Sequence, residues 1–143
     1  MTRCKRTLLL LSLGGLFAGS LPARADLVVI MATQHTGMTL TARQVSDLYL
    51  GMSKALPDGQ LASTAILNDS AATEHFLRGV LQKDRAQAEA RWAMLEFTGR
   101  GTAPVEVSDN ESMKKLVATT PGMIGIIDAD AVDNTITVIM KHP

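Results

Sequence analysis

Cysteine occurs once in these 143 residues, at Cys4, and the aromatic side chains amount to three Phe, one Trp and one Tyr. A single thiol closes no intrachain disulfide and supplies no thiolate set for a structural zinc site. So few rings leave no stacking platform for single-stranded nucleic acid. The 14 Lys and Arg only balance the 14 Asp and Glu, so the basic excess of a duplex binder is missing too. The longest apolar run, Leu8 to Leu21, is softened by Ser12, Gly14, Gly15, Gly19 and Ser20. It falls short of the roughly 18 unbroken apolar residues that a membrane span needs.

What the N-terminus does contain is Arg3, Lys5 and Arg6 ahead of that run and Ala23-Arg24-Ala25 behind it. This is the arrangement of a cleaved secretory signal peptide. Cys4 precedes the apolar run instead of standing at the cleavage point, which argues against lipid attachment. Cleavage after Ala25 removes Arg3, Lys5, Arg6 and Arg24 and no acidic residue, leaving residues 26–143 as one cysteine-free domain with net charge −4. That acidic domain is expected to be periplasmic or secreted, with no nucleic-acid partner. It carries no basic amphipathic face to hold it on a membrane, so no stable insertion is expected once the leader is gone.

The periodicity after the leader alternates between strand and helix. LVVIM, Leu27 to Met31, reads as a strand buried on both faces. Thr41 opens TARQVSDLYLG, with Gln44 completing a capping box, Val45, Leu48 and Tyr49 on one helical face, and Gly51 suited to the stop. After the Pro57-Asp58-Gly59 turn, Leu61 to Leu67 reads as a second strand. A helix from Ser70 places Phe76, Leu77, Val80 and Leu81 at helical spacing, with Gly79 a weak point inside it. Asp84 caps a further helix bearing Ala88, Trp92 and Leu95 in one stripe. VEV leads into a capping box at Ser108 to Glu111 and a helix that buries Met113, Leu116 and Val117. Strands are expected at Met123 to Asp128 and Thr135 to Met140. The order implies an α/β domain, with helices covering a mainly parallel or mixed sheet.

Four stretches in this order carry a family resemblance: LTARQVSDLYLGMSKALPDGQ (Leu40 to Gln60), DSAATEHF (Asp69 to Phe76), the segment from Arg91 to Asp128, and the closing VIM. Together they resemble the periplasmic phosphate-binding proteins of ABC transporters, in particular small members equivalent to a single lobe of the two-lobed type II periplasmic binding fold. The resemblance implies a mixed sheet flanked by helices and a non-enzymatic binding protein for phosphate or a related oxyanion, associated with ABC-type uptake or sensing. It implies no cofactor. The family holds its ligand with a Ser-Gly-Thr helix start and an upstream Arg. Here Ser70 and Thr73 remain, Ala71 and Ala72 replace the middle residues, and the Arg position falls on Ile66 or Leu67. Ligand contacts are accordingly expected from the Ser70 and Thr73 hydroxyls and the Ala71 and Ala72 N–H groups, with Asn68 orienting the loop. A helix start favours an anion because its first amides lack intrahelical partners and the dipole is positive there. Asp69 opposes this, as a carboxylate beside the site.

Read alone, LNDSAATEHF is better taken as a helix start capped by Asp69 or Ser70 that serves folding only, and it is the family resemblance that brings the anion reading level with it. The corresponding second reading is an accessory envelope protein that kept the lobe and lost the ligand, with a transporter, porin or sensor as partner. Other chemistries find little support. Gly99-Arg100-Gly101 lacks the placement and ending of a P-loop, and Gly99 suits the close of the preceding helix, although Arg100 could lend charge to an anion. His35, His75 and His142 have no metal-helix spacing. Asp128, Asp130 and Asp133 fail the calcium-loop pattern at its sixth and twelfth positions and are expected to be solvated. Ser70 sits in no nucleophile elbow, so no catalytic residue is expected.

Overall fold

The computed structural model describes residues 26–143, and the leader assigned to residues 1–25 lies outside it. Strand β1 (Leu27–Ala32) is buried at every position, as its unbroken apolar run requires. Alternation along it separates two cores. Leu27, Val29 and Met31 join the larger cluster with Tyr49, Phe76 and Trp92, whereas Val28 and Ile30 face a smaller one with Met113 and Val117. Successive strand residues point to opposite faces, so a strand can be wholly apolar only when both faces are covered.

Helices α1 (Ala42–Tyr49), α2 (Ala71–Gly79) and α3 (Arg85–Phe97) supply the larger core. Helix α4 (Asn110–Thr119) covers the other face. It packs so closely on Gly125 that a Cβ there would meet Met113 Sδ and Val117 Cγ2. The remaining strands are β2 (Ser63–Leu67), β3 (Val105–Val107), β4 (Met123–Asp128) and β5 (Ile136–His142). They form one mixed sheet in the order β3-β2-β4-β1-β5. Strand β2 runs parallel to β3 and β4, and β1 runs antiparallel to β4 and β5.

Several boundaries differ from those read in the sequence. VEV becomes the edge strand β3, in register with Ala65 to Leu67. Three residues carry no readable period, and the strand exists because the free edge of β2 accepts it. Leu61 leaves the strand and bridges Ala55 instead. The last strand extends to His142 because β1 offers Leu27 as its partner. Helix α2 stops at Gly79, and Val80 and Leu81 are buried from the following turn. At α4 the cap is Asp109, which accepts from the Ser112 N–H at 2.7 Å, and Ser108 donates to Asp109. The aspartates expected to be solvated have partners: Asp128 accepts from Asn110 Nδ2 at 2.8 Å, and Asp133 from Lys114 Nζ at 2.7 Å. Among the described residues no helix is long and apolar enough to cross a membrane.

Candidate functional site

The β2–α2 junction is where the sheet delivers Asn68 to Thr73. Asn68 N–H donates to Val107 O at 2.8 Å, so β3 holds the chain just as β2 ends. Asp69 takes a left-handed turn (φ 40°), a conformation that Asp tolerates better than most residues. Ser70 is extended (φ −101°, ψ 148°) and caps α2, its Oγ accepting the Thr73 N–H at 3.0 Å. Of the two cap alternatives, Ser70 is the one realised.

The hydroxyls form a closed relay. Ser70 Oγ donates to Thr73 Oγ1 at 3.0 Å, and Thr73 Oγ1 donates to Leu67 O at 2.7 Å. Thr73 is fully buried. Its hydroxyl, read from the sequence as a ligand donor, therefore faces inward, because the carbonyl at the end of β2 needs a buried partner. The Ala71 and Ala72 N–H groups have no acceptor among the described residues. They are orphan donors of this helix start.

The charge around the junction comes from a residue the sequence reading passed over. Arg85, first residue of α3, donates from Nε to Glu74 Oε1 at 2.8 Å and lies 3.8 Å from Glu89. Hydrogen bonding to Glu74 is the main reason its pKa is raised; Glu89 and Asp69 add to this through their charge. One guanidinium nitrogen, Nη2, is buried without a partner. Nothing in the sequence distinguishes Arg85 from any other helix-start cation; only the packing of α2 on α3 brings it here. Ile66 and Leu67, where the sequence resemblance looked for an Arg, are core residues at 1% and 3% exposure.

Arg100 does not join this site. Gly99 (φ 66°) closes α3 as expected, and Arg100 lines a cavity with Ser63, at the opposite end of β2 from Asn68. The histidines show a pairing that sequence separation concealed: the His75 and His142 rings lie 5.0 Å apart, and His75 Nε2 donates to Pro143 O at 2.9 Å. Among the described residues no group of three or more His, Cys, Asp and Glu could hold a metal ion.

Solved structures decide the architecture. A phosphate ABC transporter substrate-binding protein with bound phosphate from Clostridium perfringens matches over 80% of this chain at 17% identity, with a TM-score of 0.63. An ABC-type phosphate transport receptor from Vibrio cholerae matches over 81% at 18% identity (TM-score 0.53). PstS from Borrelia burgdorferi matches over 80% at 12% identity (TM-score 0.56). The chain has the fold of one lobe. It covers 45%, 46% and 47% of those three chains respectively, a little under half of each. No family model and no curated protein matches it.

Proposed function

We propose that this chain is a non-enzymatic periplasmic binding module that holds phosphate or a related oxyanion at the N-terminus of α2, in association with an ABC-type transporter. The observation that carries the reading is the pair of unpaired amides at Ala71 and Ala72, held by the Ser70–Thr73–Leu67 relay. Helix-start amides and the positive dipole end favour an anion there. Ser70 Oγ, half-buried beside them, supplies a third polar contact if its proton turns from Thr73 to the ligand. Thr73 acts from behind, as the strut that fixes the turn, and Asn68 holds the loop through its backbone. The phosphate-binding proteins that share the fold support both the ligand class and the compartment.

The test is calorimetric titration of phosphate and sulfate into the purified protein, with amide shifts followed by NMR. Saturable heat together with shifts at Ala71 and Ala72 is the expected result. Absence of both at millimolar anion would refute it.

A second reading, a lobe that docks on a partner and binds no small ligand, draws on one specific observation. The position that would carry the charge clamp is buried aliphatic core at Ile66 and Leu67. A guanidinium paired to phosphate through two charge-assisted hydrogen bonds is among the stronger contacts available, and none is supplied from that position.

A further inference from the structure

At the end of β2 remote from α2, a cavity of about 280 Å³ opens between the loop after α1 and the loop after α3. Its lining includes Lys54 and Arg100 but no Asp or Glu. Both cations are exposed, and neither has a carboxylate within ion-pair distance among the described residues. This sets them apart from Arg43, Arg85 and Lys114, each of which is matched to acidic side chains. Two unmatched cations converging on one cavity of an acidic domain raise a local positive potential that low-dielectric walls focus.

The same lining carries hydroxyls on Thr64 and Thr102 for which no hydrogen-bond partner exists among the described residues. Ser53, also present, is already engaged with Ala55. The backbone under the cations is fixed. Lys54 O accepts from the Ala62 N–H at 2.9 Å, Arg100 N–H donates to Leu95 O at 2.9 Å, and Ser63 N–H donates to Gly122 O at 3.0 Å. One wall is apolar, formed by Leu48 and by Leu61, which is 73% exposed.

We infer that this cavity is a second ligand site, built for a small organic oxyanion: a carboxylate or phosphoryl group on a short apolar body. Lys54 and Arg100 pair with the charged oxygens, Arg100 through its planar fork. Thr64 and Thr102 donate hydroxyl hydrogen bonds to the same group. The apolar body covers Leu61. The volume of about 280 Å³ lies just below the usual range of ligand pockets, which run from about 300 Å³ upward, so it admits a headgroup with a few carbons and excludes a nucleotide. This site does not rest on the anion reading of α2, because it shares no residue with that helix start.

The experiment is an NMR titration of the purified full-length protein at low salt, where exposed charges are least screened. The probes are propyl phosphate, succinate and inorganic phosphate. Saturable amide shifts at Ser63, Thr64, Gly101 and Thr102 are expected with propyl phosphate or succinate, and the stronger of the two identifies the anionic group. Inorganic phosphate binds there at least about tenfold more weakly than propyl phosphate, since it leaves Leu61 uncovered. The double variant Lys54→Gln/Arg100→Gln loses the response, and both residues are exposed, so its remaining spectrum stays that of the folded protein. The site is disproved by the absence of saturable shifts in this region, by shifts that survive the double substitution, or by equal affinity for inorganic phosphate. Shifts confined to Ala71 and Ala72 would likewise disprove it, while leaving the α2 reading intact.

Discussion

Thr73 Oγ1 donates to Leu67 O across 2.7 Å, so the first turn of α2 is fastened to the last residue of β2 by a bond wholly inside the protein. The bond fixes how the helix start sits on the sheet. It also turns a residue that looks like a ligand donor into a support for the amides in front of it.

Replacing Thr73 with Val keeps the shape and removes the bond. The Leu67 carbonyl then loses a buried donor and Ser70 loses its acceptor, which should cost about 1–3 kcal/mol. Urea denaturation should show a lower midpoint with an unchanged slope, and Thr73→Ser should recover most of the loss. A variant as stable as the parent would show that the relay contributes nothing.

Ala71→Pro separates binding from folding. Proline suits the first helical position, and Ser70 already has the extended backbone that a residue before proline adopts. Stability should hold to within about 0.5 kcal/mol. Phosphate affinity should fall about tenfold, because one orphan N–H is gone. An unchanged binding isotherm would move the anion away from α2.

Acid should expose the Lys114–Asp133 pair. Hydrogen bonds from Lys114, and next from Thr135, hold the Asp133 carboxyl down at about 2, below its ordinary 3.8. A depressed carboxylate stabilises the folded state above the unfolded pKa. That contribution fades as the pH falls from about 4 through about 2. Thermal melts of Asp133→Asn should therefore lose less stability than the parent over that window, while remaining less stable at neutral pH. Equal slopes for the two proteins would rule out the linkage.

Gly125→Ala probes the contact between β4 and α4. The added methyl meets Met113 Sδ and Val117 Cγ2 inside van der Waals distance, and overpacking of this kind costs about 1–3 kcal/mol. Methionine can swing aside but the branched Val117 is stiff, so Met113→Ala in the same chain should restore part of the loss. Additive destabilisation by the two changes would mean that they do not share a space.

Where the chain's own periodicity was strong, its reading matched the structure. Thr41 and Asp84 cap their helices with capping boxes, and Trp92 and Leu95 are core. Local geometry decides such features, since a cap and its partner are three residues apart. Leu27 to Met31 announced a strand covered on both sides for the same reason: every residue in it is apolar, so either face needs cover.

What lay outside the chain's local reach was decided by packing. Three residues at Val105 to Val107 became a strand because β2 had a free edge, and Arg85 reached Glu74 because α3 lies on α2. Most of all, the candidate donors were legible as residue types but not as directions. Ser70 and Thr73 announce a helix start in any context, since capping is local. Which way their hydroxyl protons point depends on the Leu67 carbonyl, a buried acceptor that only the folded sheet puts within reach.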